Sequence, residues 1–295
     1  MNSLVHVEGV SKHFGAVRAV DNVTFDVAQH SLCGLLGRNG AGKTTLMNLL
    51  TGHDFVTSGT ITLFGENPVD NARVLSRTCV VKESQLYPDT LRGKHVLRAA
   101  SWVYPNWDHD LAGRLADELA VPLNRRVKRM SRGQRSAVGV VVALASRAEL
   151  TILDEPYAGL DAVARQIFYD ALLREYAEHP RTVILSTHLI DEVADLLDHV
   201  LLIDHGRLAI DAPADELRGS AVTVSGRSAE VDRFVAGRTV LTRDVLGSLT
   251  SATVAGMSAT DRADALAAGL DLAPVSLQQL IIGRTRATTV QEDAS

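Results

Sequence analysis

The chain has 295 residues, of which 46% are hydrophobic and 22% are charged, and its formal net charge is −5. This length can bury a sizeable core and suggests one large domain with an appendage, or two modest domains, while the mild acidity argues against a nucleic-acid partner. The two cysteines, Cys33 and Cys79, have no CxxC spacing, which argues against a metal site or disulfide framework and indicates a reducing compartment.

Strand and helix patterns alternate along the chain and predict an α/β fold. Strands are predicted over residues 4–10, 23–27, 32–37, 59–64, 150–153 and 182–186, with a strand, turn, strand over 200–208. Helices are predicted over residues 43–50, 93–103, 110–119, 134–147, 162–178 and 189–197. The order strand, helix, strand across residues 150–186 predicts a parallel sheet. Composition suggests a linker at 211–220, an αβ piece without a recognisable motif at 221–285 and a frayed tail at 288–295.

A glycine-rich loop follows the third predicted strand and precedes a predicted helix. The segment Gly37-Arg38-Asn39-Gly40-Ala41-Gly42-Lys43-Thr44 fits the pattern GxxxxGK[ST]. Its glycines let backbone N–H groups face a triphosphate, and the helix start adds its positive dipole end. We expect Lys43 to neutralise the β and γ phosphates and the Thr44 hydroxyl to bind Mg²⁺. The alternative is a fortuitous glycine-rich turn, and the loop alone does not separate kinases, GTPases and motor ATPases.

Two acids end an apolar strand later in the chain, where ligands of open α/β sheets bind. Asp154 is placed to hold the Mg²⁺ shell. Glu155, one residue further, points elsewhere because strand side chains alternate, and its carboxylate could polarise the attacking water. The alternative, a capping or solvated acid pair, loses weight because the phosphate loop is also present.

Further motifs, in order, resemble those of the ABC ATPases. Met130-Ser131-Arg132-Gly133-Gln134 resembles the ABC signature, usually LSGGQ, at the start of a predicted helix. Asp161 matches the D-loop, His188 the switch histidine and Phe14 the aromatic residue that stacks on adenine. Each residue taken singly has a structural alternative, such as a helix cap or a core position. Their joint order over residues 4–215 makes the resemblance specific.

The resemblance implies a fold and a set of site residues. The expected fold is a RecA-like P-loop core with an antiparallel β subdomain and a helical signature subdomain at about 86–149. Together they form an ATP-binding domain at 1–215, followed by an accessory αβ region at 216–295. Catalysis is assigned to Glu155 and His188, and the metal to Thr44 and Asp154. The nucleotide is assigned to Phe14, Gly37, Arg38, Asn39, Gly40, Ala41, Gly42, Lys43, Thr44, Thr45, Ser131, Gly133, Gln134 and Asp161.

The same resemblance implies an ATPase that uses ATP and Mg²⁺ and works as a dimer. The signature of one subunit faces the γ-phosphate held by the other, whether the partner is a second copy or a sister ATPase. The longest apolar run, residues 137–145, is too short to cross a bilayer, which needs about 20 residues. We therefore expect a cytoplasmic subunit that lies peripherally on the membrane and drives a separately encoded permease. Residues 102–108 and 121–123 resemble bacterial exporters and favour export.

The sequence departs from the family pattern at two places. Arg132 stands where the signature usually has glycine, and Lys82 stands where the Q-loop usually has glutamine. Glu83 or Gln85 could replace that glutamine after a loop shift, so we expect slow turnover or altered coupling to the membrane partner. The alternative functions are a soluble ABC ATPase of translation or DNA repair, or a regulatory binder with little hydrolysis. A single phosphate loop and the lack of sustained heptads count against the first, and Glu155 and His188 against the second.

Overall fold

The computed structural model describes residues 3–83, 85–281 and 283, and its chain forms two compact units. The first unit comprises Met1–His188 and Leu196–Asp211, and the second comprises Leu189–Asp195 and Ala212–Ser295. The tail predicted at 288–295 lies outside the described residues.

The first unit contains two sheets and two groups of helices. Its strands are β1 (Ser3–Phe14), β2 (Val17–Ala28), β3 (Leu32–Leu36), β4 (Ser58–Leu63), β5 (Thr78–Lys82), β6 (Leu150–Asp154), β7 (Thr182–Thr187), β8 (His199–Asp204) and β9 (Arg207–Pro213), the last of which ends in the second unit. Its helices are α1 (Lys43–Leu50), α2 (Ala72–Leu75), α3 (Gly93–Val103), α4 (His109–Glu118), α5 (Arg132–Ala145) and α6 (Ala162–Glu178).

A six-stranded sheet with the order β5-β6-β7-β3-β8-β9 forms the centre of this unit. The pairs from β5 to β8 are all parallel. Strands β3, β6 and β7 are buried at every residue, as expected for parallel strands that are covered on both faces. A three-stranded antiparallel sheet, β2-β1-β4, shares one apolar core with α1 and the parallel sheet. The predicted α/β fold with an antiparallel β part is confirmed.

Helices α3, α4 and α5 follow β5 and precede β6 in the sequence. Both α3 and α4 pack against α5. A short 3-10 turn (Val127–Arg129) precedes α5, and the buried residues of that helix run from Ala137 to Ala145. The three helices span residues 93–145, within the stretch of about 86–149 that the sequence analysis assigns to a helical subdomain. The group brings the Ser131 end of α5 to the surface, where Ser131 itself is exposed.

The second unit is built around a four-stranded antiparallel sheet. Its elements are α7 (Ile190–Val193), α8 (Ala214–Arg218), β10 (Ala221–Arg227), α9 (Ser228–Val235), β11 (Val240–Leu246), β12 (Leu249–Ala255), α10 (Ala259–Ala267) and β13 (Asp271–Pro274). From β10 onward the chain runs βαββαβ, and the sheet order β11-β12-β10-β13 is that of the split βαβ, or ferredoxin-like, motif. Apolar residues of α9, α10 and one face of the sheet form its core.

Several predicted elements differ from the structure. The sequence did not predict β5, which has only three apolar residues in a row and no complete motif after it, whereas the equally short β3 and β6 each precede one. The predicted linker at 211–220 instead contains the end of β9 and the helix α8. The predicted helix 189–197 is limited to Ile190–Val193. Within the described residues, no helix is both long and apolar enough to cross a membrane.

Candidate functional site

The carboxyl ends of four neighbouring parallel strands meet at one edge of the central sheet. Lys82, the last residue of β5, pairs with Asp154, the last residue of β6. Asp154 pairs with Ser186 on β7, and Thr187 pairs with Leu36, after which β3 enters the glycine-rich loop. The register therefore brings the predicted phosphate loop and the predicted acids to the edge where open α/β sheets bind ligands.

Close backbone packing explains why the glycine-rich loop needs glycine before Lys43. Gly42 caps α1 with φ +109°, and a Cβ there would lie 2.4 Å from the carbonyl oxygen of Ala19. A side chain at this position would therefore be strained and would collide with β2. Thr45 is partly buried in the first turn of α1. A cavity of 490 Å³ beside the loop is lined by Arg38, Asn39, Gly40, Ala41, His188, Asp204 and His205.

The side chain of Lys43 folds back over its own loop. Its Nζ donates to the carbonyl oxygens of Gly37, at 2.7 Å, and Arg38, at 3.1 Å, and the residue is 7% exposed. Burial lowers the pKa of Lys43, while the carboxylates of Glu155, Asp154 and Glu83 oppose that shift. The ammonium is thus held among carbonyl oxygens, ready to exchange them for phosphate oxygens.

Two oxygen atoms of the type that binds Mg²⁺ lie together beside Lys43. Thr44 Oγ1 donates to Asp154 Oδ2 over 3.0 Å, which joins the start of α1 to the end of β6. Hydroxyl and carboxylate oxygens are the ligand types that Mg²⁺ takes in sites completed by substrate phosphates and water. The donor set of Thr44 and Asp154 therefore fits a magnesium ion.

The next acid leaves the strand sharply. The N–H of Glu155 still donates to the Ser186 carbonyl over 3.3 Å, but its φ of +48° is unusual for a residue other than glycine and turns the chain away from the sheet. Its Oε2 lies 2.5 Å from His188 Nδ1. The structure therefore brings together the two predicted catalytic residues, although they are on different strand ends.

A buried tyrosine that the sequence analysis did not single out holds this pair. Tyr157 Oη lies 2.6 Å from Thr187 Oγ1, accepts the N–H of His188 over 3.2 Å and lies 3.5 Å from Glu155 Oε2. Tyr157 is 3% exposed and its ring packs on the imidazole with centroids 5.9 Å apart. The residue follows the Asp-Glu-Pro segment directly, and only this proximity could have indicated its role.

The signature-like segment forms a capping box at the start of α5. Ser131 Oγ accepts the N–H of Gln134 over 3.2 Å, and Gln134 Oε1 accepts the N–H of Ser131 over 3.1 Å. A Cβ on Gly133 would lie 2.2 Å from the carbonyl oxygen of Gly159, so glycine is required for this close approach. Ser136 Oγ also donates to the Ala158 carbonyl over 2.6 Å. The start of α5 is thereby fixed to the loop that precedes Asp161.

Asp161 and Phe14 occupy positions with both local and functional interpretations. Asp161 is the N-cap of α6, and its Oδ1 accepts the N–H of Ala164 over 2.8 Å. Phe14 ends β1 and is 52% exposed, with Lys12 Nζ 4.9 Å from its ring centroid. An exposed aromatic ring on the strand pair that contacts the phosphate loop at Ala19 is available to stack on a base.

The segment after β5 contacts two helices. Lys82 Nζ donates to Asn48 Oδ1 over 2.7 Å, one turn of α1 beyond Thr44. Glu83 forms an ion pair with Arg132, the first residue of α5. Gln85 Oε1 accepts the N–H of Lys82 over 3.4 Å. All three residues considered for the Q-loop position thus have defined partners, and the role of Asn48 was not evident from the sequence.

Comparisons with known proteins identify the family of this chain. Residues 20–158 match the sequence profile of the family described as ABC transporter. The chain is 33% identical over 233 residues to the aliphatic sulfonates import ATP-binding protein SsuB 1 of Burkholderia lata, covering 78% of this chain and 70% of that protein. It is 30% identical over 226 residues to the bacitracin transport ATP-binding protein BcrA of Bacillus licheniformis, covering 74% of this chain and 72% of that protein.

Solved structures share the fold. The ATP-binding subunit of an ABC transporter aligns with a TM-score of 0.66 at 25% identity, over 73% of this chain and 92% of that chain. A dimeric ATP-binding cassette in a post-hydrolysis state, bound to ADP and phosphate, aligns with a TM-score of 0.61 at 20% identity. That match covers 71% of this chain and 98% of the other.

Proposed function

This chain belongs to the family of ABC transporter ATP-binding subunits and is an ATPase, and from that premise we propose how its residues hydrolyse ATP and drive a separate permease. The observation that carries the proposal is the 2.5 Å contact between Glu155 Oε2 and His188 Nδ1 at the sheet edge that also holds the phosphate loop. We assign the ATP-binding domain to residues 1–215 and an accessory region to 216–295.

In the proposed site, Lys43 and the loop N–H groups bind the β and γ phosphates. Phe14 stacks on the adenine, and Thr44 with Asp154 would hold Mg²⁺, which supplies charge neutralisation when bound. Glu155 Oε2 is bonded to His188, which leaves Oε1 free of that bond and able to accept a proton from water. His188 fixes the Glu155 carboxylate. It also reaches toward the phosphate loop, because His188 and the loop residues line the same cavity.

We further propose that the active form is a head-to-tail dimer, in which Ser131, Gly133 and Gln134 face the nucleotide of the other subunit. The support is that Ser131 is exposed at the positive end of α5, a natural anion site. Two ATP molecules would then bridge two chains, and loss of the γ-phosphate would remove the bridging charge and open the pair. Asp161 lies in the loop adjoining this surface.

The experiment compares two variants with the natural chain. Lys43→Ala should abolish ATP binding, whereas Glu155→Gln should bind ATP, hydrolyse it poorly and accumulate as an ATP-bound dimer. Fluorescent-nucleotide titration and light scattering after gel filtration measure these properties. Normal hydrolysis by Lys43→Ala would disprove the assignment of the phosphate loop.

We propose a peripheral location on the cytoplasmic face of the membrane, with a permease as partner and export as the direction. Export is favoured by the exporter-like segment at residues 102–108, whereas the SsuB relatives carry the name of an importer. Purification of the tagged chain from membranes should recover an integral membrane protein. Transport by vesicles of known orientation then gives the direction, and uptake into the cell interior would contradict export.

A further inference from the structure

The residue that departs from the usual signature contacts the segment that departs from the usual Q-loop. Arg132 occupies the glycine position of the signature, and its guanidinium pairs with Glu83, next to Lys82. About half of each side chain is exposed to solvent, 58% for Arg132 and 46% for Glu83. The two departures therefore form one structural feature of this chain.

The base of the Arg132 side chain is fixed while its end is exposed. Its Cβ and Cγ lie against Gly159, where an added Cβ would come within 3.3 and 3.0 Å of them. Arg132 is also the first residue of α5, directly after the Ser131 cap, so its backbone lies at the positive end of the helix dipole. The guanidinium consequently extends from a helix end that already favours an anion, and the anion it holds in this structure is a carboxylate of its own chain.

We propose that Arg132 is a phosphate-binding residue that acts in trans: on dimerisation it leaves Glu83 and binds the terminal phosphate of the ATP held by a second copy of this chain. The inference rests on the head-to-tail dimer proposed above. A guanidinium binds phosphate oxygens with two parallel charge-assisted hydrogen bonds, and a closed interface excludes the water that weakens such contacts. The arginine thus adds a fixed positive charge that a glycine signature lacks.

The exchange of partners is feasible because the ion pair it breaks is weak. Ion pairs between exposed side chains contribute little to stability, and Glu83 can be solvated when Arg132 leaves. Glu83 therefore acts as a competitor that occupies Arg132 in the separate subunit. The alternative is that the pair only fastens the segment after β5 to α5, with no contact to nucleotide.

The two possibilities predict different effects of Arg132→Gln and Glu83→Gln on dimerisation. If the pair is only a fastening, Arg132→Gln and Glu83→Gln both break it and should change dimerisation in the same direction. If Arg132 binds phosphate in trans, Arg132→Gln should weaken dimerisation, whereas Glu83→Gln removes the competitor and should not. The double variant should then behave as Arg132→Gln alone.

The experiment uses the full chain with Glu155→Gln, titrated with Mg-ATP and analysed by sedimentation velocity. Arg132→Gln should raise the ATP concentration for half-maximal dimer by about tenfold or more, as expected for one lost charge-assisted contact. Glu83→Gln should lower it by up to about fivefold, the range of an exposed ion pair. Arg132→Gly, the usual signature residue, should match Arg132→Gln. Arg129→Gln, an exposed charge in the preceding turn, is the control and should match the parent.

The inference is overturned if Arg132→Gln dimerises within twofold of the parent, or if Glu83→Gln shifts the titration in the same direction as Arg132→Gln. If the parent Glu155→Gln stays monomeric at saturating ATP, the proposed pairing with a second copy is itself wrong. The proposed role of Arg132 is then wrong as well. Thermal unfolding of each variant shows whether a shift reflects loss of folded protein.

Discussion

Replacing Tyr157 with phenylalanine removes one buried hydroxyl from the centre of the catalytic network and keeps the ring. The hydroxyl accepts the N–H of His188 at 3.2 Å, lies 2.6 Å from Thr187 Oγ1 and lies 3.5 Å from Glu155 Oε2. The ring contact with His188 is retained in the variant. Tyr157→Phe therefore tests whether the hydroxyl positions Glu155 and His188 for catalysis.

The magnitude follows from the contacts. Loss of the buried hydroxyl should lower the free energy of unfolding by about 1–3 kcal/mol, since the His188 N–H and Thr187 Oγ1 each lose their hydrogen bond to it. A catalytic base increases the reaction rate by about 10²- to 10⁴-fold, and a base that is held less firmly in position loses part of that increase. We expect kcat for ATP hydrolysis to fall about tenfold, equivalent to about 1.4 kcal/mol in the barrier. KM for ATP should change less than about twofold, because the phosphate loop is untouched.

The assay is steady-state phosphate release, with unfolding in urea measured on the same preparations. Tyr176→Phe is the matched control, because its hydroxyl oxygen lies 2.6 Å from the His30 carbonyl oxygen and 2.7 Å from Asp198 Oδ2, near the start of β3 and away from the site. The control should lose stability and keep kcat. If Tyr157→Phe also keeps kcat while losing stability, the hydroxyl is structural only and the positioning role is refuted.

Two further substitutions test features outside this network. Lys82→Gln restores the usual Q-loop residue and should raise the ATPase rate about two- to tenfold, since one positioning hydrogen bond contributes roughly 0.5–1.5 kcal/mol; Lys128→Gln is the control. A natural rate equal to that of ordinary family members, unchanged in Glu83→Ala and Gln85→Ala, would contradict slow turnover. Arg181→Met should stabilise the chain by about 1–3 kcal/mol in urea unfolding, because the arginine is 4% exposed and its guanidinium has no hydrogen-bond partner among the described residues. Exposed Arg174→Met should have little effect, and a less stable Arg181→Met would contradict the reasoning.

The sequence allowed prediction of the sheet edge because each of its parts is a local pattern. The strand before Gly37 and the strand before Asp154 are short apolar runs, and the residues that follow them are consecutive in the chain. Parallel strands with crossover helices bring such ends to one edge. Strand order and register could not be predicted, because they depend on contacts between residues far apart in the sequence.

The same limit explains the features that were missed. Strand β5 is recognisable mainly through its pairing with β6, and the hydroxyl of Tyr157 acquires a role only when β7 brings Thr187 and His188 beside it. In the second unit, the sequence predicted only an αβ piece without a recognisable motif. The order β11-β12-β10-β13 is a property of their pairing and has no local motif.

The caps at Ser131 and Asp161 do not compete with contacts across a dimer, because the two uses need different atoms. Ser131 Oγ accepts the N–H of Gln134 with one lone pair, which leaves its proton to be donated to a phosphate oxygen. Asp161 binds the N–H of Ala164 through Oδ1, which leaves Oδ2 for another donor. A cap also holds each side chain in one orientation before the nucleotide arrives, and a contact that is already oriented loses less entropy on binding. The capping roles of Ser131 and Asp161 are therefore compatible with the proposed contacts to nucleotide. The Arg132 guanidinium, which is held by an exposed ion pair, is the movable group of the same surface.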